Sequence, residues 1–255
     1  MKSEEDFVKI IESQVTNALQ DPNRTYLLYL YGLIENEINS LASEKKTLEV
    51  GAASGISSKF LPLDTIVRTD LLFWDESITA VLGGIDCGKL PFKDNEFKGL
   101  FAIDTLHHLS DPILALKEMV RVVEKGGKLI FIEPYVSMFS YPFYKIFHHE
   151  NTTMRINHFD LNQKVSQLAG DGDQGIPKAI FKRRTWELIK PELKREIKLE
   201  ISFLSPFSFF ATGGLTKPLP IPGRFIALLI SMERKIPKVF LKLLGSRMFI
   251  TMTIS

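Results

Sequence analysis

The stretch Thr47-Leu48-Glu49-Val50-Gly51-Ala52-Ala53-Ser54-Gly55 constrains this chain more than any other. An apolar run ends in a carboxylate and passes into a turn of small residues, and a helix is expected over Ile56–Leu61. Small residues admit left-handed dihedrals and keep side chains out of the way, so a ligand can approach such a turn closely. Alone, the unit points to a nucleotide-like ligand and no further.

Beyond it, strands and helices alternate. Ile66–Thr69, Ala80–Ile85, Gly99–Ile103 and Lys128–Glu133 read as further strands. Pro112–Glu124 reads as a helix with proline in its first turn, Asp111 as its cap and Gly126-Gly127 after its end. This alternation predicts a mostly parallel sheet with helices on both faces, in which ligands sit at the carboxyl ends of the strands. Lys182–Leu193 and Arg224–Ile236 read as helices, and Glu196–Phe203 and Met248–Ile254 as strands. At the front, Glu4–Leu19 carries apolar residues on one helical face, and Arg24–Ala42 reads as a second helix. These two form a helical cap that packs on the core or closes over a ligand.

The expected organisation is one domain in four parts. Residues 1–46 are the cap and 47–134 the ligand-binding core. Residues 135–181, rich in aromatics, are a lid insertion, and 182–255 complete the sheet. With 255 residues, 45% of them hydrophobic, the chain can bury a core of that size. A formal charge of +2 and no basic stripe in the first 150 residues argue against a nucleic-acid partner. One cysteine excludes an internal disulfide framework and fits a reducing compartment. The N-terminus is too polar for a secretory signal, and the run Phe225–Ile230 is far below the roughly 20 residues a bilayer span needs. A cytoplasmic protein is expected.

The residues after each strand carry the chemistry. Asp70 stands where a carboxylate accepts both hydroxyls of a ribose, though a turn or capping aspartate reads the same from spacing. Asp86 follows the third strand and is placed to meet an adenine amine or to serve a turn. After the fourth come Asp104-Thr105-Leu106-His107-His108. The two histidines are candidate proton acceptors, with a packed core histidine as the other reading. No lysine follows the glycines as a P-loop needs, and Ala53 and Ile56 stand at the second and third glycine positions of a dinucleotide fingerprint. A ligand with ribose and adenine but no pyrophosphate fits better. His148-His149-Glu150 and His158-Phe159-Asp160 match no zinc spacing, so no metal is expected.

Taken together, these segments resemble class I S-adenosylmethionine-dependent methyltransferases, most closely the type 11 group. Glu49 to Gly55 resembles the motif E-x-G-x-G-x-G, with Ala53 for the middle glycine. Asp86-Cys87 with Leu90-Pro91-Phe92 resembles D-A-x-x-L-P-F, and Asp104–Pro112 resembles L-x-H-L-x-D-P. Arg121–Gly127 with Phe131–Pro134 resembles R-V-L-K-P-G-G and its strand, whereas Lys98 stands where an aspartate is common. The resemblance implies a Rossmann-like fold with a seven-stranded sheet and an antiparallel last strand. It implies S-adenosylmethionine as cofactor and S-adenosylhomocysteine as product. Glu49, Gly51, Ala52, Ala53 and Gly55 would form the floor under the methionine part. Asp70 would hold the ribose, Leu71, Asp86 and Cys87 would border the adenine, and Asp104 would lie near the sulfonium. His107 or His108 would be the base where the acceptor carries a proton.

Nothing after Pro134 names the acceptor. Between Lys217 and Arg247, seven basic residues and one acid interleave with apolar ones. That pattern fits a helix packed on the sheet, and it also fits contact with an anionic membrane or a lipid-like acceptor. The expected function is methyl transfer to a small-molecule, apolar or lipid-like acceptor. The alternative is a cofactor-binding protein without catalysis. The sequence leaves the oligomeric state open.

Overall fold

The computed structural model describes residues 13, 16–73, 80–147, 151–156, 172–213 and 219–255. Most of the expected helix Glu4–Leu19 and the clusters His148-His149-Glu150 and His158-Phe159-Asp160 lie outside them.

Seven strands form one sheet: β1 (Thr47–Val50), β2 (Ile66–Thr69), β3 (Val81–Leu82), β4 (Phe97–Ile103), β5 (Val123–Pro134), β6 (Ile197–Leu204) and β7 (Arg247–Ile254). Their order across the sheet is β3-β2-β1-β4-β5-β7-β6. The first five run parallel, and β7 is antiparallel to both β5 and β6. This is the expected Rossmann-like arrangement, a seven-stranded, mostly parallel sheet whose last strand is antiparallel. Because β1 pairs with both β2 and β4, strand order reverses there, and sheets of this kind hold ligands at the carboxyl ends beside such a reversal.

The central strands are buried on both faces, and their alternation divides the core in two. Leu100, Ala102, Leu129 and Phe131 face Leu116, Met119 and Val120 of α2 (Pro112–Val122). Phe101, Ile130 and Ile132 face the other way, onto Leu30, Ile34 and Ile38 of α1 (Asn23–Asn39). Among the described residues, the helices that follow are α3 (Ser140–Phe147), α4 (Ile176–Ile180), α5 (Arg183–Ile189), α6 (Ser208–Ala211) and α7 (Gly223–Glu233). Ile226 and Ile230 of α7 pack in the α1 half of the core. The last helix, α8 (Lys238–Leu244), precedes β7. As expected, Asp111 caps α2, accepting the Leu114 amide at 2.9 Å.

Several elements are shorter than the sequence implies, and for three of them the contacts show why. The helix after the turn is a single 3-10 turn, Ile56–Lys59. Arg68 Nη2 donates to the Leu61 carbonyl at 2.8 Å, so that carbonyl is satisfied without further helix. Strand β3 stops at Leu82 because Gly83 and Gly84 pack against Phe73, Gly84 in the left-handed region at φ +72°. Helix α2 ends at Val122, since Val123 already pairs with Phe97 in the sheet.

Candidate cofactor site

The turn after β1 runs through three left-handed residues, Gly51 (φ +67°), Ala53 (φ +46°) and Gly55 (φ +72°). Gly51 cannot be anything larger. A Cβ there would lie 2.4 Å from Thr105 Oγ1 and 2.6 Å from its methyl. Gly51→Ala therefore combines left-handed strain with a clash, and should cost about 2–4 kcal/mol. Urea unfolding checks this; a change below about 1 kcal/mol would mean the β4 loop simply moves aside.

Glu49 sets the turn from beneath. It is 4% exposed, and its Oε2 accepts Ser57 Oγ at 2.5 Å. Arg68, 7% exposed, donates from Nε to Ser57 Oγ at 2.8 Å and lies 3.3 Å from Glu49 Oε2. Burial pushes the Glu49 carboxyl up to about 7, against the opposing pull of Ser57 and Arg68. The folded state therefore holds the proton more tightly than the unfolded chain does. Stability attributable to Glu49 is full below about pH 4.5 and falls as pH rises through about 7. Between pH 5 and 8 the wild type should lose on the order of 2–3 kcal/mol more than Glu49→Gln. Denaturation of both proteins at both pH values measures the gap; parallel curves would refute it.

Asp70 closes the turn from the β2 side. Its Oδ2 accepts the Ala53 amide at 2.7 Å and its Oδ1 the Leu72 amide at 2.9 Å. The turn is thus bonded to the acid that would hold a ribose. In the same turn the Ser54 hydroxyl is sealed from solvent and has no hydrogen-bond partner among the described residues. Leu71 is 43% exposed beside Asp70. Asp86 is exposed and accepts the Gly88 amide at 2.7 Å. Cys87 is buried, and burial with Asp86 and Asp70 nearby pushes its thiol up to about 12, so it stays neutral.

The segment after β4 hangs from one buried acid. Glu133, wholly buried at the end of β5, accepts the Thr105 and Leu106 amides on Oε1 at 2.9 and 2.8 Å. Its Oε2 pairs with His107 Nδ1 at 2.8 Å. His107 is 2% exposed, so this histidine stands within the fold rather than at its surface. The His108 ring lies against it, tilted by 38° with 4.0 Å between ring centres. The Asp173 amide donates to the His107 carbonyl at 3.1 Å. Asp104, left-handed at φ +52°, keeps a 42% exposed side chain and forms a 2.7 Å ion pair with Arg247 Nη2. Arg247 is 3% exposed and lies over the Phe209 ring at 5.2 Å. Burial opposes its charge, but Asp104 and neighbouring groups outweigh this and hold its pKa above the usual arginine value. Asp104, His107 and Glu133 bring ligand atoms within 4.8 Å of one another, as a metal site would. Here His107 and Glu133 pair with each other, and the guanidinium of Arg247 already supplies Asp104's cation.

Glu49, Gly51, Ala52, Ala53, Gly55, Asp70, Asp86, Cys87 and Asp104 all follow or end strands at the same edge of the sheet. Sequence reasoning missed Glu133 and Arg247. Glu133 closes an apolar run just as Glu49 does, which was a usable signal. Arg247 was hidden because the last strand reads as starting at Met248, one residue inside the edge. Residues 48–131 match the family model described as Methyltransferase domain, of type 11. That segment is similar to a methyltransferase domain. The ubiquinone/menaquinone biosynthesis C-methyltransferase of Chromobacterium violaceum is 39% identical over 69 residues, which are 27% of this chain and 28% of that protein. The chain thus aligns with little more than a quarter of that relative's length. Among solved structures, an S-adenosylmethionine-dependent methyltransferase of Thermotoga maritima has 18% identity and a TM-score of 0.48, covering 94% of this chain and 99% of its own. One from Archaeoglobus fulgidus has 12% identity and a TM-score of 0.49, covering 89% and 93%.

Proposed function

We propose that this chain is a methyltransferase that binds S-adenosylmethionine and transfers its methyl group to a small, apolar or amphiphilic acceptor. The observation that carries this is the bond between Asp70 and the Ala53 amide, which fastens the ribose-position acid to the left-handed turn. The donor set fits the cofactor. Glu49 braces a floor of Gly51, Ala52, Ala53 and Gly55, and the partnerless Ser54 hydroxyl offers a polar group to the methionine part. Asp70 holds the ribose, while Leu71, Asp86 and Cys87 border the adenine. Asp104, neutralised by Arg247, stands toward the reacting end.

S-adenosylmethionine, when bound, supplies a methyl carbon already activated by positive sulfur. The protein's share is then alignment and exclusion of water. His107 is committed to Glu133, which favours a positioning role for it and leaves His108 as the nearer candidate base. The acceptor's apolar character is supported by a wall of rings beside Arg247. Phe143 of α3 stacks on Phe210 of α6 at 4.6 Å, and Phe209 contacts Tyr26 at 6.0 Å.

Titration calorimetry with S-adenosylmethionine and S-adenosylhomocysteine tests binding, and homocysteine release over phenols, quinol precursors, fatty acids and glycolipids tests transfer. No heat with folded protein would end this reading. Binding without release on any acceptor would favour a regulatory cofactor binder, a reading the buried His107 also permits.

A further inference from the structure

Helix α7 is apolar on two sides. Ile226 and Ile230 are buried in the core, yet Phe225, Leu228 and Met232 are 45%, 54% and 57% exposed. These three recur at i, i+3 and i+7, so they form one stripe along the outer face. A helix that is hydrophobic all round belongs inside a protein or in a lipid environment, and this one has only its inner face covered. The next helix repeats the arrangement. In α8, Leu241 and Leu244 are half-buried, while Val239, Phe240 and Leu243 are 69%, 55% and 48% exposed. Lys238 and Lys242, one turn apart, flank that stripe and are exposed.

Charge tells what meets these stripes. From Leu219 to Leu244 there are five basic residues, Arg224, Arg234, Lys235, Lys238 and Lys242, and all are exposed. The segment's one acid, Glu233, points inward. It accepts the Phe207 and Ser208 amides at 2.7 Å each and the Ser208 hydroxyl at 2.6 Å. The outer surface is therefore apolar and uniformly cationic. A second copy docking through a two-fold would set these cations against each other. An anionic lipid surface meets both features, taking the apolar side chains below its headgroups and the cations at phosphate level.

We propose that α7 and α8 form a docking surface for anionic membranes. No helix among the described residues is long and apolar enough to cross a bilayer, so the association is peripheral and reversible. The test of this surface needs no methyl transfer.

The test is flotation of the full chain with vesicles of phosphatidylcholine alone and with 30% (about one lipid in three) phosphatidylglycerol. Binding is expected to the anionic vesicles, and to fall steeply with salt as the screening length shortens. Lys238→Glu with Lys242→Glu should weaken partition at least tenfold, from about fivefold per basic residue near an anionic surface. Phe240→Asp, at an exposed site that spares the fold, should weaken it similarly, and unchanged melting would verify folding. Equal binding to neutral vesicles, no binding to either, or variants that bind like wild type would overturn the proposal. So would a concentration-dependent dimer in light scattering that Phe240→Asp abolishes, which would assign the face to a second copy.

Discussion

Glu133→Ala is expected to destabilise the protein by about 3–5 kcal/mol, the range for removing one partner from a buried, charged hydrogen-bond cluster. The side chain is wholly buried and accepts three donors: the Thr105 amide, the Leu106 amide and His107. Alanine strands all three without water, and each stranded donor costs more than an ordinary hydrogen bond contributes. The loss should appear in urea unfolding as a lower midpoint with the slope little changed. Glu133→Gln keeps one acceptor oxygen and should lose roughly half as much. A cost for alanine below about 1 kcal/mol would mean that the β4 loop is held by its packing on Gly51 instead. Because Thr105 lies against Gly51, loosening this loop should also weaken binding of S-adenosylhomocysteine.

The sheet was legible because its signals are local. Each central strand is a short apolar run bounded by turn residues, and helix α2 carries its own cap and proline. The order of those runs implied the parallel arrangement that the pairing bears out. What escaped was set by contacts distant in sequence. Nothing near Ile56 says that Arg68 will satisfy the Leu61 carbonyl and end the helix after one turn. Nothing near Ile85 says that Phe73 needs the space over Gly83 and Gly84. Helix α3 is only eight residues long, too short for its periodicity to stand out, and its aromatic residues pack on rings in α6 far along the chain. The edge carboxylates of β1, β2 and β4 could be read in sequence from the strands that precede them. Arg247 could not, because an antiparallel strand enters at the carboxyl edge and its first residue, not its last, stands beside Asp104.

Asp70→Ala should weaken S-adenosylhomocysteine binding by at least about a hundredfold. A hydrogen bond to a charged acceptor contributes about 1.5–3 kcal/mol, and a ribose brings two hydroxyls to this carboxylate. Two such bonds amount to about 3 kcal/mol or more, and 1.4 kcal/mol is tenfold. The same carboxylate also holds the Ala53 and Leu72 amides, so alanine removes ties within the free protein as well. The two effects separate by measurement. Asp70 is only partly buried, and water can replace it on those amides. The stability cost should therefore stay near 1–2 kcal/mol. Calorimetry reports the affinity and urea unfolding the stability. A large loss of stability with affinity kept within threefold would make Asp70 a turn residue and would take the ribose contact elsewhere. The expected pattern, modest destabilisation with binding nearly abolished, requires that one carboxylate both shape the turn and grip the ligand laid across it.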